Sequence, residues 1–123
     1  MKKAILIVVL GLLWCSVGFA EWTHVAETEE VNEYIDEESI GKEDGITYFW
    51  SLRDNKNDKD PPSTIIYYAV KCEVKQFQIQ QYGWYDKHMG EGKFSGNNPW
   101  PLKEWRSPPP GTVGAKFIKF VCK

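Results

Sequence analysis

The chain has 123 residues, with 15 basic and 17 acidic side chains and a formal net charge of −2 at pH 7. This balance argues against a nucleic-acid-binding protein, because such proteins need a concentrated positive field. The length fits one domain of ordinary size and is too short for two.

The first twenty residues have the pattern of a signal peptide. Two lysines precede a short apolar run, and the segment ends in the small-x-small sequence Gly18-Phe19-Ala20. The run is shorter than a membrane-spanning helix and has no charged stop after it. We therefore expect residues 1–20 to be a cleavable signal peptide and residues 21–123 to form a single exported domain. Lipid attachment at Cys15 is the alternative, disfavoured because bulky Trp14 stands where a small residue is needed.

Two cysteines remain after the leader, Cys72 and Cys122. In an oxidising compartment a disulfide between them is the natural expectation, and two buried free thiols are the alternative. The bridge would close a loop of about 50 residues, which the chain-entropy estimate values at roughly 4 kcal/mol.

The first part of the domain reads as short extended pieces. Strands are predicted over 22–26 and 32–36, a single helical turn over 37–40, and a tight turn at Asp44-Gly45. Residues 46–53 have a period of two with β-branched and aromatic side chains, which predicts a strand. One side has Ile46, Tyr48, Trp50 and Leu52, and the other has Thr47, Phe49, Ser51 and Arg53. The polar stretch 54–62 ends in two prolines and is expected to form an exposed hairpin loop.

The alternation continues over 63–74 and 75–85, and a last strand is predicted over 115–121. In the predicted registers Cys72 and Cys122 both lie on core-facing sides. The segment 87–114 shows no hydrophobic period and contains three consecutive prolines, so it reads as an irregular loop. The expected fold class is mainly β, or α+β with one short helical turn. Its core is an antiparallel sheet of five or six strands with one disulfide.

Catalytic and metal-binding patterns are missing from the sequence. The two histidines, His24 and His88, have no second ligand at metal spacing, and His88-Met89 lacks a haem-attachment motif. There is no Gly-x-Ser-x-Gly elbow and no phosphate-binding glycine loop. We therefore predict a protein that is not an enzyme and has no cofactor or metal site.

Aromatic residues are concentrated in and beside the irregular segment. Large aromatic side chains are frequent at the energetic centres of protein interfaces. This pattern predicts a partner-binding surface, and the alternative is that the segment folds back and caps the sheet. The residues concerned are Trp84, Tyr85, Phe94, Trp100 and Trp105.

Short motifs in a fixed order resemble the surface-adhesin protein E family of small exported bacterial proteins. They begin with Glu21-Trp22 and continue through an aromatic strand to the cysteines and the proline run. The motifs are Glu21-Trp22, Tyr34-Ile35-Asp36, Ser39-Ile40, Tyr48-Phe49-Trp50, Cys72, Pro108-Pro109-Pro110 and Cys122. The resemblance implies a mostly antiparallel β domain with one disulfide. It also implies surface exposure and binding of host matrix and plasma proteins without enzymatic activity.

The leading hypothesis is a non-enzymatic binding protein, located in the periplasm or on the outer surface, that contacts a protein partner through its aromatic loop. A periplasmic inhibitor or small-ligand-binding protein is the alternative, since a rigid proline-rich loop suits insertion into a cleft. An unpaired sheet edge also offers a route to a homodimer.

Overall fold

One antiparallel sheet dominates the structure. The computed structural model describes residues 21–57, 59–99 and 104–123, and in this part of the chain the sheet has seven strands. They are β1 (Trp22–Glu27), β2 (Val31–Asp36), β3 (Gly41–Glu43), β4 (Ile46–Asn55), β5 (Ser63–Lys71), β6 (Gln76–Tyr85) and β7 (Phe94–Pro99). The order across the sheet is β1-β2-β4-β5-β6-β7, and β3 pairs with β4 beyond the end of β2. The mainly β fold class is confirmed, whereas the predicted signal peptide lies outside the described residues.

The alternation of β4 and β5 gives the sheet two different faces. Phe49 and its cross-strand partner Tyr68 point to one side, while their neighbours Trp50 and Tyr67, also paired, point to the other. The strand predicted over 63–74 ends earlier, at Lys71, because the chain turns there to enter β6.

The C-terminal segment corrects the prediction of a strand over 115–121. It forms a helix, α1 (Val113–Val121), whose N-cap Thr112 accepts a hydrogen bond from Ala115 N–H at 3.3 Å. The β-branched and aromatic residues that suggested a strand form the apolar side of this helix. They recur at helical spacing, at Val113, Phe117, Phe120 and Val121.

Helix α1 covers one face of the sheet. The ring of Phe117 lies 5.7 Å from that of Phe49 and 5.6 Å from that of Tyr68, and Phe117 is buried. The predicted disulfide is confirmed, with the two sulfur atoms of Cys72 and Cys122 2.01 Å apart. Cys122 reaches the bridge from the end of a helix rather than from a strand. We call the face under α1 the covered face and the other the open face.

The segment 87–114 was predicted to be irregular, and the structure corrects this. It contains the short turn His88–Gly90, strand β7, a backbone bridge between Arg106 and Phe77, and the first residues of α1. A hydrophobic period cannot reveal β7, because this strand is polar and pairs with β6 through its backbone. Gly96 is required there, since a Cβ would lie 3.0 Å from the Cα of Gly83.

The segment 86–93 folds over one end of the open face. Met89 N–H donates to Asp54 Oδ1 at 2.7 Å, and His88 Nδ1 lies 3.2 Å from the same oxygen. Ser63 Oγ accepts a hydrogen bond from Gly90 N–H at 3.0 Å and donates one to the carbonyl oxygen of Lys87 at 2.7 Å. This segment covers Leu52, which is fully buried, and leaves the rest of the open face beyond it.

A buried carboxylate lies on the covered face. Glu33 is 1% exposed and pairs with Arg53, whose Nε lies 3.0 Å from Glu33 Oε2. Burial raises the pKa of Glu33 above its usual value, and the Arg53 guanidinium opposes this only in part. The folded protein therefore holds the Glu33 proton more tightly than the unfolded chain does.

We predict that Glu33 makes the protein less stable as pH rises. A group with a raised pKa in the folded state contributes stability below its unfolded pKa of about 4.5, and this is lost as pH rises through the folded pKa. Glu33→Gln removes this titration, so its stability relative to wild type should improve from pH 4.5 to pH 7.5. Urea unfolding across that range measures the difference.

Glu27→Gln is the matched control, because its effect on stability should change with pH in the opposite direction. A hydrogen bond from Lys56, and then its charge, lower the pKa of Glu27, so its contribution is present above the unfolded pKa. The Glu27→Gln protein should lose stability relative to wild type over the same rise in pH. A Glu33→Gln difference that does not change with pH would contradict the assignment.

We predict that Asp54 holds the segment 86–93 against the open face. Asp54→Ala removes an anionic acceptor from Met89 N–H, and such bonds contribute about 1.5–3 kcal/mol. The amide hydrogens of Met89 and Gly90 should exchange faster, whereas those of β4 and β5 should keep their order of protection. Glu43→Ala, at an exposed position of β3, is the control. Unchanged exchange at Met89 in Asp54→Ala would show that the segment is held by other contacts.

Candidate functional site: an aromatic platform on the open face

Three aromatic rings lie side by side on the open face. The rings of Tyr48 and Tyr67 are 5.9 Å apart and nearly parallel, at 16°. The ring of Trp50 lies 4.6 Å from that of Tyr67, at 34°. All three side chains are half-buried, so each presents part of its ring to solvent. We call these three residues the aromatic platform.

Strand pairing explains why these rings meet. Tyr67 stands directly across from Trp50 in the β4–β5 ladder, and Tyr48 is two residues before Trp50 on the same face. Direct and diagonal cross-strand neighbours are close enough for aromatic contact. The platform is therefore built on two central strands, which hold it more rigidly than a loop would.

A polar turn fixes the backbone beneath Trp50. Between β2 and β3 the chain forms a turn at Glu37–Ser39, and Asp36 Oδ1 accepts from Glu38 N–H at 3.1 Å. Ser39 Oγ donates to the Asp36 carbonyl oxygen at 2.7 Å and accepts from Trp50 N–H at 2.9 Å. The serine hydroxyl thus replaces the ladder hydrogen bond that the break between β2 and β3 removes.

The platform carries polar groups as well as ring surface. Burial raises the pKa of Tyr67, with smaller contributions from Tyr48 and Glu43, so the Tyr67 hydroxyl stays protonated at neutral pH and can donate. Lys71, on the same face of β5, places its Nζ 4.1 Å from the ring centre of Trp105. This cation–π contact positions one cation and a fourth aromatic ring beside the platform.

The structure distributes the sequence-predicted residues over two faces. The ring of Tyr85 lies 5.1 Å from that of Phe94, which is 42% exposed, on the open-face side of the β6–β7 pair. Trp84, the neighbour of Tyr85 in β6, points to the covered-face side, and its ring lies 6.1 Å from that of Tyr82. Trp100 lies outside the described residues. Trp105 contacts Lys71 next to the platform.

The platform was not predicted from the sequence, because its residues lie in strands and resemble core residues. The alternation placed Tyr48 and Trp50 on one side of β4, but the sequence did not indicate which side of the sheet a helix would cover. The available signal was aromatic residues on both faces, Phe49 on one and Trp50 on the other. The part of the chain that the structure describes has one α-helix, which covers one aromatic face and leaves the other open.

The described residues contain neither a metal-ligand cluster nor a helix able to span a membrane. Within residues 21–57, 59–99 and 104–123, no group of three or more His, Cys, Asp or Glu side chains could hold a metal ion. Among the same residues, the structure has no helix long and apolar enough to cross a membrane.

Solved structures with the same fold come from Haemophilus influenzae. Crystal form II of its protein E aligns with a TM-score of 0.62 at 18% identity, covering 80% of this chain and 91% of that chain. Protein E from a non-typeable strain aligns with a TM-score of 0.58 at 21% identity, covering 80% of this chain and 74% of that chain. At these identities the likeness establishes the fold alone.

Sequence comparison identifies the family. No curated protein sequence matches the chain significantly. The family model described as surface-adhesin protein E matches residues 22–123, a range that includes the described sheet, the disulfide and α1. The chain therefore belongs to the surface-adhesin protein E family.

Proposed function

We propose that this chain is an exported, non-enzymatic adhesin that binds a protein partner through its open face. The observation that carries the proposal is the aromatic platform, in which three half-exposed rings form one contiguous surface on rigid strands. Family membership supports the adhesive role. The leader-like residues 1–20 and a disulfide suited to an oxidising compartment support export.

The platform has the composition of an interface centre. Tyrosine and tryptophan supply large contact areas at small cost in side-chain entropy, and they dominate the residues whose truncation weakens protein complexes most. Lys71 and Trp105 would form one border of the contact. At the other end, Tyr85 and Phe94 lie about 13 Å from Tyr67 along the strand direction, within the span of a standard interface.

The proline run favours an adhesin over an inhibitor with a projecting loop. A Cβ on Gly114 of α1 would lie 3.1 Å from Pro108 Cβ, so Pro108 packs directly against the helix. This contact fixes the first proline of the run against α1, while Pro109 and Pro110 are exposed. The proline run was expected to enter an enzyme cleft, but its residue Pro108 packs against α1 instead.

We predict that Trp50→Ala and Tyr67→Ala each weaken partner binding by about tenfold or more, the effect typical of residues at an interface centre. Binding is measured by surface plasmon resonance on immobilised basement-membrane matrix and on immobilised plasma proteins. Trp84→Ala is the matched control, because it removes the same ring from the covered-face side of the sheet. It should change the affinity by less than about twofold.

The outcomes separate the site from the function. Near-UV circular dichroism and thermal unfolding first establish that each variant is folded. Suppose that the folded Trp50→Ala and Tyr67→Ala proteins bind as wild type does. If Phe94→Ala then weakens binding, the contact lies at the β6–β7 end instead; if Trp105→Ala weakens it, the contact lies at the Lys71 border. If the wild-type protein binds neither surface, and protease added to intact cells leaves it uncut, the adhesin proposal fails.

A further inference from the structure

A cavity of about 540 Å³ lies beside the disulfide, away from the open face. One wall is α1, the second is the proline run that precedes it, and the third is the turn between β5 and β6. The volume falls within the range of small-molecule sites, roughly 300–1,000 Å³. The cavity is therefore large enough for an organic ligand and too small for a folded partner.

Apolar groups form the interior of the cavity. The Cys72–Cys122 disulfide and Ile118 line it, and Ile118 is 5% exposed. Pro108 adds a rigid apolar surface. On the helix, Ala115 is one turn before Ile118 on the same side, and its single methyl group leaves the space that a larger residue would fill. The interior thus matches a hydrocarbon chain better than a polar metabolite.

Two cations stand at the rim. Lys75 and Lys119 line the cavity and are both exposed, Lys119 one turn after Ala115 on α1 and Lys75 in the β5–β6 turn. No aspartate or glutamate occurs among the described residues that line it. In a chain whose formal net charge is −2, this is a local positive site at the mouth of an apolar cavity. Its complement is a molecule with an apolar chain and one anionic head.

We propose that this cavity binds a free single-chain carboxylate of the fatty-acid type. The hydrocarbon chain lies against the disulfide, Ile118 and Pro108, and the carboxylate lies between the ammonium groups of Lys75 and Lys119 at the rim. The site is built from α1 and the β5–β6 turn and shares no residue with the aromatic platform. It is therefore independent of the adhesive function proposed above.

A chain-length series tests the apolar part of the site. Octanoate, decanoate and dodecanoate are titrated into the oxidised protein by isothermal calorimetry, below their micelle concentrations. Each buried methylene contributes about fourfold in affinity, so two more should tighten binding by about fifteenfold as long as the added carbons fit. Affinities that do not change with chain length would overturn the proposal.

Charge variants test the head group. The Lys75→Gln and Lys119→Gln double variant should bind dodecanoate about fivefold more weakly and bind dodecanol as wild type does, because exposed ion pairs each contribute a few-fold. Lys116→Gln is the matched control, since Lys116 is an exposed lysine of α1 that does not line the cavity. It should leave dodecanoate binding unchanged. A loss in the control that is as large per charge removed as in the double variant would show attraction by net charge alone and overturn the site.

A cavity-filling variant tests the location. Ala115→Leu places three more carbons in the cavity and should abolish the chain-length dependence while the protein stays folded by circular dichroism. A second, smaller substitution, Ala115→Val, keeps the test usable if Ala115→Leu does not fold. It should weaken the binding of dodecanoate more than the binding of octanoate. Dodecanoate binding that survives in both folded variants, or binding to anionic vesicles without binding to monomeric dodecanoate, would overturn the proposal.

Discussion

The Cys72–Cys122 disulfide joins the end of a nine-residue helix to the end of β5, and the arrangement of both faces follows from this bond. A helix of nine residues is too short to be stable alone, so it needs tertiary contacts to persist. The bond closes a loop of 50 residues, and Phe117 packs between Phe49 and Tyr68 beneath the helix. Covalent and apolar contacts together therefore fix α1 on one side of the sheet.

The length of α1 limits how much of the sheet it can cover. Nine helical residues span about 14 Å, whereas six adjacent strands span about 24 Å. On the opposite face, among the residues that the structure describes, the segment 86–93 covers one end and is held there by Asp54 and Ser63. Between that segment and Lys71, the surface of the open face is formed by the rings of the aromatic platform. The platform is thus a consequence of a small domain that has more sheet than it has helix.

The sequence predicted the elements whose pattern is local and regular. The alternation through Trp50 and through Tyr67 gave β4 and β5, and the cysteine count gave the disulfide. The prediction of a strand over 115–121 was wrong, because over so few residues the lysines and aromatic residues fit a period of two almost as well as a helical period. Thr112, an N-cap residue two positions after the proline run, was the signal that distinguishes the two.

The candidate site was harder to predict than the fold, because its position depends on which face of the sheet the helix covers. Trp84 and Trp50 are both tryptophans of strands, and the sequence alone ranks the one near the irregular segment higher. Only the packing of α1 places Trp84 on the covered-face side and leaves Trp50 on the open face. The same packing forms the partly open cavity beside Ile118 and the disulfide, away from the open face. The position of a single helix therefore separates a surface suited to a protein from a cavity suited to a small amphiphile. Because the two share no residue, each could change in evolution without altering the other.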